Sequence, residues 1–133
     1  MNRSRQAQWY YASGYSCEQS IFAAFAGELG LSLVKASQAA PSARSRGTGC
    51  GAFNAAAAVL TAMHRRSGKD TEEPLPPAIR DFRRMALARF GTMDCRPIME
   101  SHRRGADCLD VIGWTASCVD VLIGKYYPAH TAD

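Results

Sequence analysis

No two of the five cysteines in this chain form a C-x-x-C pair. That removes the usual zinc signature and a thioredoxin-like motif, and without C-x-x-C-H there is no attachment point for a c-type haem. Histidine pairs at zinc-finger spacing are missing too. His64, His102 and His130 stand alone and are expected at the surface, although His102 lies between two cysteines and is kept as an alternative fourth ligand. Long apolar runs are equally absent, because Ser, Thr, Gly, Asn or charged residues interrupt every candidate, so no membrane span is expected. The first residues are polar rather than a charged start followed by an apolar core, which gives no secretory signal. The expected compartment is therefore a reducing cytoplasm. There an odd set of scattered cysteines reads as metal ligands or catalytic thiols sooner than as structural bridges. A strong charge bias is lacking as well: the net charge is +4. The basic pairs Arg65-Arg66, Arg83-Arg84 and Arg103-Arg104 read as solvated helix faces, so nucleic acid is not an expected partner.

What is present suits one domain over 1–133, long enough for a hydrophobic core without disulfide staples. Its organising stretch is 13–25. Cys17 is followed by Ile21, Phe22, Phe25 and Leu29 at helical spacing, Ser16 can cap, and Glu18 lies in the first turn where the dipole favours an acid. Cys17 is thus expected at the positive end of a helix, where amides stabilise a thiolate, the species that attacks disulfides and binds soft metals.

Before it, 3–13 reads as a short helix ending at Gly14, with Trp9, Tyr10 and Tyr11 expected to cover the core. After it, Gly30 is a stop, and 31–49 reads as a loop of small and polar residues arriving at Cys50. An alanine-rich helix follows from Cys50 to Met63, and Gly51 there either gives another group room to approach or marks a permissive turn. The polar, proline-rich stretch 67–77 reads as a linker. A helix is expected from Ala78 to Phe90, closed by Gly91. A short helix then restarts around Cys95 with Asp94 as cap, and the last long helix opens at Cys108 behind Asp107. The fold class is an all-α bundle of about five helices.

Cys17, Cys50, Cys95 and Cys108 therefore fall at expected helix starts, whereas Cys118 sits inside the last helix and reads as a small core hydrophobe. Four thiolates converging on one point could hold a metal or cluster, with helix amides offsetting their charge. Simple up-and-down bundles put successive starts at opposite ends, so convergence requires long connections, which 31–49 and 67–77 could provide. Metal-free thiol chemistry, with one cysteine attacking and another resolving, and a structural zinc site remain alternatives.

These residues resemble the C-GCAxxG-C-C family of redox-active proteins, named for its four cysteines. Gly14-Tyr15-Ser16-Cys17-Glu18-Gln19-Ser20 is similar to the family's G-Y/F-x-C-A-Q-A/S opening, with Phe25, Glu28, Leu29, Gly30 and Leu31 following as in its F-x-x-E-L-G-L-like ending. Cys50-Gly51-Ala52 stands where the family has C-G-A-x-x-G, with Ala55 in place of the closing glycine, and Phe90-Gly91 to Cys95-Arg96 resembles its F-G-x-x-x-C-R segment. The resemblance implies a small helical redox-associated protein. A further similarity to the non-haem part of split-Soret cytochromes c implies an iron–sulfur centre on Cys17, Cys50, Cys95 and Cys108. The expected function is electron transfer or redox sensing with an unidentified redox partner protein, through a cluster of the two-iron type. A symmetric homodimer is the default assembly.

Overall fold

The computed structural model describes residues 2–39, 51–68, 76–91 and 108–128. Among these there are helices and no strands: α1 (Arg3–Ala12), α2 (Cys17–Ala24), α3 (Ala26–Leu29), α4 (Leu33–Ala39), α5 (Gly51–Arg66), α6 (Pro77–Phe90) and α7 (Cys108–Tyr126). The all-α expectation holds, with two more elements than foreseen. One is a break: the helix expected to run from Cys17 to Gly30 is split at Phe25 into α2 and α3. The other is α4, which occupies a stretch read as loop. Ser32 caps it through a hydrogen bond from the Lys35 amide (3.2 Å), and Ala36 is its one buried residue. The short helix expected around Cys95 and the Asp107 cap lie outside the described residues. Gly30 and Gly91 close α3 and α6 in the left-handed region (φ 69° and 77°), where glycine carries no Cβ penalty.

Cross-helix contacts fix the direction of each element. The backbone carbonyl of Leu109 near the start of α7 accepts from Gln8 near the end of α1 (3.0 Å), while Arg3 approaches Asp120 (3.8 Å), so α1 and α7 run oppositely. Phe53 meets Trp114 (6.3 Å between rings) and His64 meets Tyr127 (6.0 Å), so α5 runs with α7. Glu18 lies at Gly51, and Arg66 donates to the Leu29 carbonyl (3.0 Å), so α2–α3 also runs with α5. α6 opposes α7, with Phe90 on Trp114 (5.2 Å) and Asp81 on Lys125 (3.1 Å). α4 opposes α2, because Gln19 near the start of α2 donates to the Ser37 carbonyl near the end of α4 (3.4 Å).

Counted with α4, the bundle alternates strictly. The connection 31–49 therefore does not reverse the pattern by length alone; α4 makes the return passage, and α2, α5 and α7 all start at the same end. Around this frame a core forms from Ile21, Phe25, Val59, Leu60, Met63, Phe82, Ile112, Val119, Leu122 and Ile123, all nearly or wholly buried. Burying such side chains contributes about 1.5–3 kcal/mol each before the entropy of ordering the chain is set against it.

Two expectations about individual residues are corrected. Trp9 is 59% exposed rather than covering the core; it stands on the edge of Tyr10, while Tyr11 does pack inward. His64 is buried rather than at the surface, because the face of α5 that carries Leu60 and Met63 also carries it inward, where Nδ1 lies 3.0 Å from the Tyr127 hydroxyl. His102 and His130 lie outside the described residues.

Candidate functional site

The end of the bundle where α2, α5 and α7 begin is built first by Ser16. Its Oγ accepts from the Gln19 amide (3.1 Å) and the Gln19 side chain accepts from the Ser16 amide (3.0 Å), a reciprocal capping box. This sets Cys17 as the first residue of α2, half-buried, in the turn whose amides have no helical acceptors of their own. The expectation for Cys17 is met.

Glu18 has a contact that its sequence position does not reveal. It lies in the first turn of α2 at the dipole's positive end, as expected, and it is in addition only 6% exposed. The signal for that burial was available: Glu18 precedes Ile21 by three residues and Phe22 by four, on the stripe that packs inward. Its carboxylate faces Gly51, the first residue of α5, so closely that a Cβ at position 51 would overlap it. Of the two readings open for Gly51, the structure favours the first, since another group does come close. The start of α2 is thereby held against the start of α5.

Aromatic packing joins the remaining segments at this end. Phe53, in the first turn of α5, contacts Phe90 at the end of α6 (5.7 Å) and Phe82 (5.7 Å), and Phe90 stands edge-on to Trp114 of α7 (5.2 Å). Edge-to-face pairs of this kind add about 0.5–1.5 kcal/mol each beyond the area they bury. On the outer side Tyr10 lies 5.2 Å from Tyr15, tying the end of α1 to the segment that leads into Cys17.

Of the four candidate cysteines, Cys17 is described in full and Cys108 is the first residue of α7, its side chain outside the described residues. Cys50, directly before α5, and Cys95, four residues past Gly91, lie outside the described residues. Among the described residues, no three potential metal-ligating side chains come together. Cys118 is apart from this end, ten residues or about 15 Å along α7 from Cys108. As expected it is a core thiol. Its Sγ sits 3.8 Å from the Met85 sulfur, and burial pushes the thiol up to about 11.

Among the described residues no helix is long and apolar enough to cross a membrane. The features together define an all-α protein whose cysteine-led helices open at one end of the bundle. Residues 15–122 match the profile of the C_GCAxxG_C_C family, described as "Putative redox-active protein", and the chain belongs to that family. No curated protein and no solved structure matches it.

Proposed function

We propose that Cys17, Cys50, Cys95 and Cys108 together hold an iron–sulfur cluster, of the two-iron type, and that the protein serves electron transfer or redox sensing. The observation that supports this reading is the helix alternation: α2 and α7 begin with a cysteine, α5 begins one residue after one, and α6 ends four residues and a glycine before another, all at the same end. Four residues of chain span up to about 14 Å, which bounds the distance of Cys95 from Gly91. Thiolates are the donors that iron–sulfur clusters and zinc select, so the residue types fit the group. Bound there, a cluster supplies one-electron exchange with an unidentified redox partner protein. The chain's own part is to offset thiolate charge with three helix N-termini and to limit water with Phe53, Phe90 and Trp114, the levers that tune a potential. A reducing cytoplasm would keep the thiols available, and a homodimer is the proposed assembly.

The half-buried position of Cys17 at a capped helix start also favours a second reading, a metal-free thiol–disulfide protein. Structural zinc is the third. Iron and acid-labile sulfide measured on protein purified without oxygen separate them. Near-equal iron and sulfide, lost in Cys50→Ser, is the expected result; a colourless, metal-free protein with fast-alkylating thiols would establish the second reading, and zinc alone the third.

A further inference from the structure

We propose that the groove between α5 and α6 binds a small organic oxyanion, a phosphate or carboxylate carried on a short body, independently of the cysteine-metal reading above. The sequence carries an arginine pair on each of these helices, and the structure divides both pairs. Arg66 donates to the Leu29 carbonyl (3.0 Å), and Arg84 is paired with Asp81 (3.0 Å). Their neighbours Arg65 and Arg83 instead line one cavity of about 410 Å³, and among the described residues neither has an acid or a carbonyl as partner. Both are exposed, so a solute can reach them. No Asp or Glu is among the described residues that line the cavity. Two guanidinium groups bordering one space without an acid between them raise its potential, and an anion placed there relieves it.

The walls narrow the ligand's size and chemistry. On α5, Asn54, Ala58, Thr61 and Arg65 recur at helical spacing and share one face, about 16 Å from first to last. Ala57 and Ala58 form the floor, where methyl side chains leave the space that a larger residue would fill. The Thr61 hydroxyl proton is spent on the Ala57 carbonyl (2.8 Å), so Thr61 offers the cavity only an acceptor oxygen. Asn54 has no partner among the described residues, and its amide supplies a further donor. The volume lies in the range of sites for small organic molecules, well beyond what a lone phosphate needs. Guanidinium forks match the paired oxygens of carboxylate and phosphate, and two forks with an amide suit a ligand of more than one negative charge.

The test is an NMR titration of the reduced full-length protein with citrate, AMP and inorganic phosphate, following the Asn54 side-chain amide and the Ala57 and Ala58 methyl groups. Citrate or AMP is expected to move these signals saturably, at lower concentration than inorganic phosphate. Binding of citrate alone would identify carboxylate as the recognised group, and binding of AMP alone would identify phosphate. Arg65→Ala and Arg83→Ala should each weaken the binding about tenfold. Ala57→Leu should abolish it by filling the floor without altering charge. Arg84→Ala removes the same charge outside the cavity and should weaken binding by less than about twofold at physiological salt. Far-UV circular dichroism checks that each variant is folded; Arg65 and Arg83 are exposed, so their variants decide the outcome even if Ala57→Leu does not fold. Signals moved by neither organic anion, or by inorganic phosphate only, would overturn the proposal. An equal loss in Arg84→Ala would also overturn it, reducing the effect to net charge, as would unchanged binding in folded Ala57→Leu, which would put the anion elsewhere.

Discussion

Adding one methyl group at Gly51 tests how the two helix starts are held together. Alanine in place of glycine normally favours a helix by up to about 1 kcal/mol, because the unfolded chain loses freedom. Here the new Cβ would overlap the Glu18 carboxylate, whose own motion is limited by burial. Overpacking of this sort costs about 1–3 kcal/mol. The net expectation for Gly51→Ala is a destabilisation of about 1–2 kcal/mol, read as a lower urea midpoint with unchanged slope in far-UV circular dichroism. In a Glu18→Ala background the obstacle is gone, so the same substitution should become neutral or stabilising, and the cycle should report a coupling of about 1–3 kcal/mol. A Gly51→Ala protein more stable than its parent, or a penalty that persists in the Glu18→Ala background, would refute the contact as the reason for glycine.

Other consequences follow from contacts away from this end. Arg3 pairs with buried Glu28, donates to the Ala24 carbonyl at the end of α2 (2.5 Å) and lies over the Phe25 ring (5.2 Å), so Arg3→Ala should cost about 3 kcal/mol in urea unfolding, part of it recovered by adding Glu28→Gln. The Tyr126 hydroxyl and then Lys125 hold the Asp81 carboxyl below its ordinary range, so its contribution is present above about pH 4 and lost as pH falls through the folded value; Asp81→Asn should lower the melting temperature at pH 7, and the gap to the parent should close as pH falls below that range. Cys118 is raised from 9.0 to about 11, so the unfolded thiol ionises first and stability should fall as pH climbs from about 9 to 11, a slope that Cys118→Ala flattens in the same melts.

Much of this bundle was legible because its signals are local. The Ser16 cap, the apolar spacing from Ile21 to Leu29, and the stops at Gly30 and Gly91 all lie within a few residues of what they specify. α4 was not legible, since Leu33 and Val34 are exposed and Ala36 alone is buried, which leaves no amphipathic stripe to read. That omission mattered most, because α4 is the passage that brings α2 and α5 into the same direction. His64 and Tyr127 are 63 residues apart, and Glu18 meets Gly51 across two connections, so neither contact has a sequence period. The departure of Trp9 from its expected place has a similar cause: an aromatic in a polar helix does not reveal which face meets α7.

The proposed metal centre uses Cys17, Cys50, Cys95 and Cys108 and leaves Cys118 out. Native mass spectrometry of protein reconstituted anaerobically with iron and sulfide, run beside the five single Cys→Ser variants, tests it most directly. One iron–sulfur mass increment is expected in the wild type and in Cys118→Ser, and its loss in each of the other four. An increment that survives removal of any of those four, or that disappears with Cys118, would contradict it.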